Sequence, residues 1–370
     1  MRTGIFSASQ ACALAWLILN LGPSALRAAD RLNLALPTAN DALFHDDPAA
    51  FYQYVERNFH DQVTYPWEGG QYGFVRDPID TPIGVLYVRF HEGIDIRPLR
   101  RDAKDEPLDE VLATAPGRIV HTSSEPRASN YGRYLVIEHR WDGCPYYSLY
   151  AHLSEIWVNE GDIVARAQPV ARMGHTGEGI DRPRSHLHFE LNLMLSRNFD
   201  TWYQTNASSG PNDPNKHGPY NGQNLAGLDI ARLLLALQKK PDLTLPEFFA
   251  QEETFFRVLI PAGPEPPDLL RLYPWMGNGA PPSNAPHPAA WEISFNRTGL
   301  PLKVLPSDTA VSRPTLSFAQ PAAVPYWQLT HRLIYGSGNL PTLSPYGIKL
   351  INLIAQPKVE TSPVFSPTPK

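Results

Sequence analysis

A mainly β fold is predicted by this sequence: an antiparallel sandwich or rolled sheet, followed by a short helical segment and a small β-rich C-terminal unit. Three observations lead there. Short apolar and β-branched runs recur at 85–88, 117–120, 134–137, 146–153, 169–173 and 186–193. Gly, Asn, Asp and Pro separate them at short intervals, as turns do. The last run alternates apolar and polar residues in the manner of a half-buried strand.

The chain of 370 residues is long enough for two domains, and 42% hydrophobic with 11% aromatic residues is the composition of a core-forming protein. A net charge of −5 without any Lys/Arg-rich run gives no footprint for nucleic acid or an anionic membrane surface. Met1-Arg2, an apolar stretch at 11–21 and small residues up to Ala29 read as a cleavable export signal over 1–29. The stretch is too short to span a membrane stably, so no span is expected after cleavage. The cleavage site is imperfect, because Arg27 or Pro23 falls where a small residue is preferred. Cys12 leaves with the signal and Cys144 stands alone in a turn-like segment, which excludes an internal disulfide and Cys/His zinc chemistry.

Residues 30–80 are rich in Asp, Pro and aromatics, and a helix at about 47–59 is expected, with Asp46 or Asp47 as N-cap ahead of Pro48. This segment is expected to pack on the following domain or to lie across its cleft. The predicted β domain occupies 81–224. Within it, 97–109 crowds charges and reads as a solvated loop with no chemistry assigned.

Two stretches carry the chemistry. In His91-Glu92-Gly93-Ile94-Asp95, Gly93 and the β-branched Ile94 and Ile96 argue against a helix, and an extended chain places His91 and Asp95 on one side. In Ser185-His186-Leu187-His188-Phe189-Glu190-Leu191, alternation puts His186 and His188 on one face. A third run, 147–153, ends in His152. With 12 His in the chain, any one motif could arise by chance. Together the three runs deliver four His and one Asp, a nitrogen and oxygen set suited to a catalytic Zn²⁺ site. Alternation alone does not decide between His186 and His188 as ligand.

These motifs, with APGRIV at 115–120, NYGRYLVIEH at 130–139, VNEGDIV at 158–164 and GHTG at 174–177, resemble the lysostaphin-type (LytM-like) zinc metallopeptidases that cleave peptide bonds in bacterial peptidoglycan. The resemblance covers roughly residues 85–195. It implies a domain of the duplicated hybrid motif type with one Zn²⁺ per chain, held by His91, Asp95 and His188. His152 and His186 match the two catalytic His that do not bind metal. It further implies an exported endopeptidase acting on peptidoglycan peptides in the periplasm, cell envelope or outside the cell. The contrasting expectation is a non-catalytic relative that binds cell wall or activates an amidase; such relatives lack ligands, whereas all five positions are filled here. Two loops depart from the family: Arg182-Pro183-Arg184-Ser185 replaces a Gly-rich turn, and Arg166-Ala167 stands where a Gly often precedes Gln168. The charged insertion at 97–109 bears on substrate preference. His121, His139 and His175 are not expected to bind metal.

Loop aromatics and amides over 196–224 are read as loop closure. A helical segment follows at 225–260: residues 228–240 end in Lys239-Lys240 before Pro241, and a capping box at Thr244–Glu247 opens a second helix expected to run to Leu259. A Pro-rich linker is expected over 261–290 and a small β-rich unit over 291–370, whose tail from Ser362 is expected to be disordered. No motif assigns that unit a role beyond packing.

Overall fold

The computed structural model describes residues 31–60, 64–206, 214–277, 287–338 and 340–355. The expected export signal and the C-terminal tail lie outside the described residues. Among the described residues, no helix is long and apolar enough to cross a membrane.

The fold is mainly β and antiparallel throughout. In chain order the strands among the described residues are β1 (Gly73–Thr81), β2 (Gly84–His91), β3 (Ile94–Ile96), β4 (Glu110–Leu112), β5 (Gly117–Ser123), β6 (Tyr134–Trp141), β7 (Cys144–Ala151), β8 (Leu153–Ile156), β9 (Ile163–Val164), β10 (Pro169–Met173), β11 (Leu187–Met194), β12 (Leu225–Gly227), β13 (Phe256–Pro261), β14 (Ala290–Phe295), β15 (Pro301–Ser307), β16 (Thr315–Ala319), β17 (Ile334–Tyr335) and β18 (Thr342–Leu343). The main sheet runs β12-β11-β7-β6-β5-β9, with β3 also paired to β11. A three-stranded sheet, β4-β10-β8, lies apart from it, and β1 and β2 form a long hairpin. The runs at 117–120, 134–137, 146–153, 169–173 and 186–193 therefore lie in strands close to their expected places.

The register of β11 positions the chemistry. His188 lies opposite Asp95 of β3 on one side and opposite Ala151 of β7 on the other. Gly93 is required where β3 approaches, since a Cβ there would come within 2.5 Å of the Phe189 carbonyl oxygen.

Elsewhere tertiary pairing overrides local pattern. The helix expected at 47–59 is one turn, Pro48–Phe51, capped by the Asp47 side chain. After it the chain turns extended, because Gln53 N–H donates to the Asp95 carbonyl at 2.8 Å and Arg97 N–H to the Phe51 carbonyl at 3.0 Å. The helix from Ile230 to Lys239 forms as expected, with Asp229 as its cap. The capping box at Thr244 also forms, but its helix stops at Phe249. Phe256–Pro261 is instead a central strand between β14 and β16, where Phe256 stacks on Phe295 at 4.9 Å.

The Pro-rich stretch holds a helix, Asp268–Leu272, with Leu269, Leu270 and Leu272 buried. Residues 348–354, within the unit expected to be β-rich, belong to the helix Pro345–Ala355, in which Ile351 and Ile354 are buried at helical spacing. One continuous apolar core joins Phe51 and Tyr52, Leu135 and Phe189 of the main sheet, and Ile293 and Val304 near the C-terminus. The Tyr273 hydroxyl accepts from the Met194 N–H at the end of β11, at 2.8 Å. The C-terminal strands are thus continuous with the core that supports the catalytic candidates.

Candidate metal centre

All five residues singled out in the sequence lie together and are buried: His91 at 2% exposure, Asp95 3%, His152 7%, His186 2% and His188 5%. Three of their atoms make a near-equilateral triangle. His91 Nε2 is 3.1 Å from His188 Nδ1, which is 3.0 Å from Asp95 Oδ1, which is 3.2 Å from His91 Nε2.

Hydrogen bonding on the outer side of each ring decides which atoms face inward. The Gln71 carbonyl lies 2.7 Å from His91 Nδ1 and can only accept, so neutral His91 presents a bare Nε2. Glu190 Oε1 lies 2.7 Å from His188 Nε2, which leaves Nδ1 bare in the same way. Two imidazole nitrogens and a carboxylate oxygen then converge, and only a proton on His188 Nδ1, shared with Asp95, stands where an ion would. The triangle's edges are close to the roughly 3.3 Å of a tetrahedron with bonds of about 2.0–2.1 Å, so the donor set fits a small divalent cation such as Zn²⁺. Among the described residues, His121, His139 and His175 join no such group.

Charge around the triangle is arranged accordingly. Burial alone would raise the Asp95 carboxyl, yet His91, His186 and Arg76 hold it well below the usual carboxylate range. Burial lowers His91. In His188 burial is outweighed by the hydrogen bonds to Asp95 and Glu190, which push the imidazole up to about 10. Such an imidazole carries a proton in place of a metal ion.

His152 and His186 stand beside the triangle, their ring centroids 4.7 Å apart. Each is oriented by a backbone carbonyl: Thr176 O at 2.8 Å from His152 Nδ1, and Arg184 O at 2.7 Å from His186 Nδ1. Their Nε2 atoms therefore turn inward, and that of His186 is engaged with Asp95, 3.3 Å from its Oδ1. Burial and the two neighbouring imidazoles lower His152 well below its ordinary value, which keeps it neutral. His152 also sits at φ +62°, a left-handed backbone uncommon outside glycine. Gly177, at φ +105°, closes over it, and a Cβ there would lie 3.0 Å from His152 Nδ1.

Several residues complete the site that the sequence reading did not name. Arg76 reaches Asp95 Oδ2 at 2.5 Å and braces itself on the Gly69 carbonyl at 2.9 Å. A register shift between Phe74 and Arg76 in β1 redirects its side chain, and no local motif announces it. Glu190 accepts from His188, from the Tyr131 hydroxyl at 2.7 Å and from Asn192 at 2.9 Å. Its position was legible, since period two puts Glu190 on the same face as His186 and His188.

The charged loop at 97–109 is not simply solvated. Arg101 donates to the carbonyls of Arg182 at 2.9 Å and Pro183 at 3.2 Å, and Glu106 pairs with Arg182 at 2.7 Å and His175 at 3.0 Å. The charged insertion is thus bonded to the Arg182–Ser185 turn, which leads into His186.

A profile described as "Peptidase family M23" matches residues 89–200. The lipoprotein NlpD of Yersinia enterocolitica is 36% identical over 81 residues, 22% of this chain and 74% of that one. The murein hydrolase activator NlpD of Escherichia coli (strain K12) is 36% identical over 101 residues, 27% of this chain and 22% of that one. The peptidoglycan DD-endopeptidase ShyB of Vibrio cholerae is 40% identical over 90 residues, 24% of this chain and 19% of that one. The chain thus spans about a fifth of the length of the last two relatives.

Proposed function

The chain belongs to peptidase family M23, and we propose that it is an exported zinc metalloendopeptidase that hydrolyses peptide bonds of peptidoglycan in stem peptides, cross-links or bridges. The observation that carries this reading is the convergence of His91 Nε2, Asp95 Oδ1 and His188 Nδ1, three ligand atoms within 3.2 Å of one another. In this reading those residues hold the ion, Arg76 fixes the outer oxygen of Asp95, and Glu190 fixes His188. A zinc ion held there supplies Lewis acidity toward the scissile carbonyl and toward a water, whose pKa it lowers from about 15.7 to about 7. His152 and His186 both turn Nε2 inward, that of His186 being engaged with Asp95. One takes the proton of the attacking water and passes it to the leaving amine. The other, once protonated, donates a hydrogen bond to the oxygen that gains charge.

A second reading, a non-catalytic wall-binding or amidase-activating protein, is favoured by the similarity to a murein hydrolase activator. Zinc content and release of soluble muropeptides from purified peptidoglycan, with and without a chelator, separate the two. The peptidase reading expects close to one zinc per chain and a release that stops with chelator and returns with zinc. No release from zinc-loaded protein would favour the activator.

Arg101 provides a finer test of the positioning of His186. Arg101→Ala removes the brace on the preceding loop and is expected to lower kcat roughly ten- to hundredfold, with zinc content and KM little changed. A variant with unaltered kcat would show that the loop holds His186 without it.

A further inference from the structure

We infer that a cavity behind Tyr131, walled on its far side by the C-terminal unit, receives a primary ammonium group of the substrate peptide, with the Glu92 carboxylate as its counter-charge. The peptide part of this inference rests on the peptidase reading above. The cavity has a volume of about 520 Å³ and lies between the loop ending at Tyr131, β12, and C-terminal residues that include Thr298, His331 and Tyr346. It adjoins the metal centre through Tyr131, whose hydroxyl donates to the Glu190 carboxylate that holds His188.

Among the described residues of the wall, Glu92 is the one carboxylate. Unlike Glu190, which accepts from three donors, Glu92 has no hydrogen bond or ion pair to another side chain among the described residues, although one of its oxygens lies within 4.8 Å of a His188 nitrogen and a Glu190 oxygen. A half-buried carboxylate with no hydrogen-bonded side-chain partner among the described residues is open to a cation that enters the cavity. Its surroundings select the kind of cation. Phe90, Tyr131 and Tyr346 supply aromatic faces, and the His331 ring lies 5.0 Å from that of Phe90 and 5.8 Å from that of Tyr346. Burial lowers His331, so its imidazole is neutral and has a lone pair for an N–H donor. One carboxylate, aromatic faces and a neutral imidazole are the chemistry of ammonium recognition. Glu92, Glu190 and a ring nitrogen of His188 lie within 4.8 Å of one another, but Glu190 is already bonded to His188, Tyr131 and Asn192, which leaves too few oxygen ligands for a hard divalent cation.

The backbone holds this wall in place. His331 and Arg332 are consecutive non-glycine residues with left-handed φ of +48° and +60°. The Tyr72 hydroxyl bridges the Gly227 carbonyl at 3.0 Å and Thr298 Oγ1 at 3.3 Å, tying β12 to the C-terminal unit. Among the described residues of the wall the one lysine, Lys216, is exposed beside His217.

The test is calorimetric binding of soluble muropeptides, native and after N-acetylation of their free amines, to the full-length protein. Native muropeptides are expected to bind roughly tenfold more tightly than acetylated ones. Glu92→Gln should erase that difference. Tyr346→Leu, remote from His91, Asp95 and His188, should weaken binding of the native set severalfold. Equal binding of the two sets by the unaltered protein, retention of the difference in Glu92→Gln, or no binding of either set would overturn the inference. Discrimination between the sets without any hydrolysis would sink the peptidase reading and leave the ammonium site standing. Hydrolysis with equal binding would do the reverse.

Discussion

His188→Ala is expected to strip the protein of its zinc and to reduce muropeptide release to the level of chelator-treated protein. The imidazole supplies one corner of the triangle, Nδ1, at 3.0 Å from Asp95 Oδ1 and 3.1 Å from His91 Nε2. Without it two donors remain, fewer than the three protein ligands of a catalytic zinc site. Removal also strands the Glu190 carboxylate, 1% exposed and bonded to His188 at 2.7 Å, so some loss of stability accompanies the loss of metal. His188→Gln, which can still donate to Glu190, should recover stability without recovering zinc. Elemental analysis beside a thermal melt reads both effects. A His188→Ala protein with full zinc content would show that the ion is held elsewhere.

The second large effect separates chemistry from coordination. His152→Ala and His186→Ala are each expected to keep zinc and to lower turnover by roughly 10²–10⁴-fold, the usual weight of a positioned acid–base group. Their outer nitrogens bond to backbone carbonyls, Thr176 O and Arg184 O, so no buried charge is orphaned and the fold should survive. Because the two rings stand 4.7 Å apart and the proposed mechanism has them serve one water and one oxyanion, the double variant should lose far less than the product of the single losses. Loss of zinc in His186→Ala would move that residue from chemistry into the ligand set.

How much of this was legible in the sequence depends on the range over which each residue acts. Period-two alternation in 185–191 is a local property, and it placed His186 and His188 on one face, with Glu190 beside them for the same reason. Register is not local: His188 meets Asp95 across ninety-three residues, and the convergence of the motifs rested on family resemblance. Gln71, Arg76 and Arg101 were not legible, because each contributes through a hairpin bulge, a backbone carbonyl or an inter-loop contact that leaves no periodic trace. The same physics governed the fold. Helix Ile230–Lys239 carries its own cap and apolar stripe, and it formed where expected. Phe256–Pro261 begins beside a helix and becomes a strand only because β14 and β16 flank it.

These elements also explain why the C-terminal residues matter to a site formed far from them in sequence. Tyr273 bonds to the end of β11, Trp202 Nε1–H donates to the Lys349 carbonyl at 3.0 Å, and His331 faces Phe90 of β2. The strand that bears His188 is held from both ends of the chain.

The most direct measurement is a crystal structure of the purified full-length protein with anomalous scattering recorded on both sides of the zinc edge. The expected result is one zinc peak per chain, bonded to His91 Nε2, Asp95 Oδ1 and His188 Nδ1. A peak bound by other side chains, or an apo triangle in protein that nevertheless cleaves peptidoglycan, would contradict the account at its root.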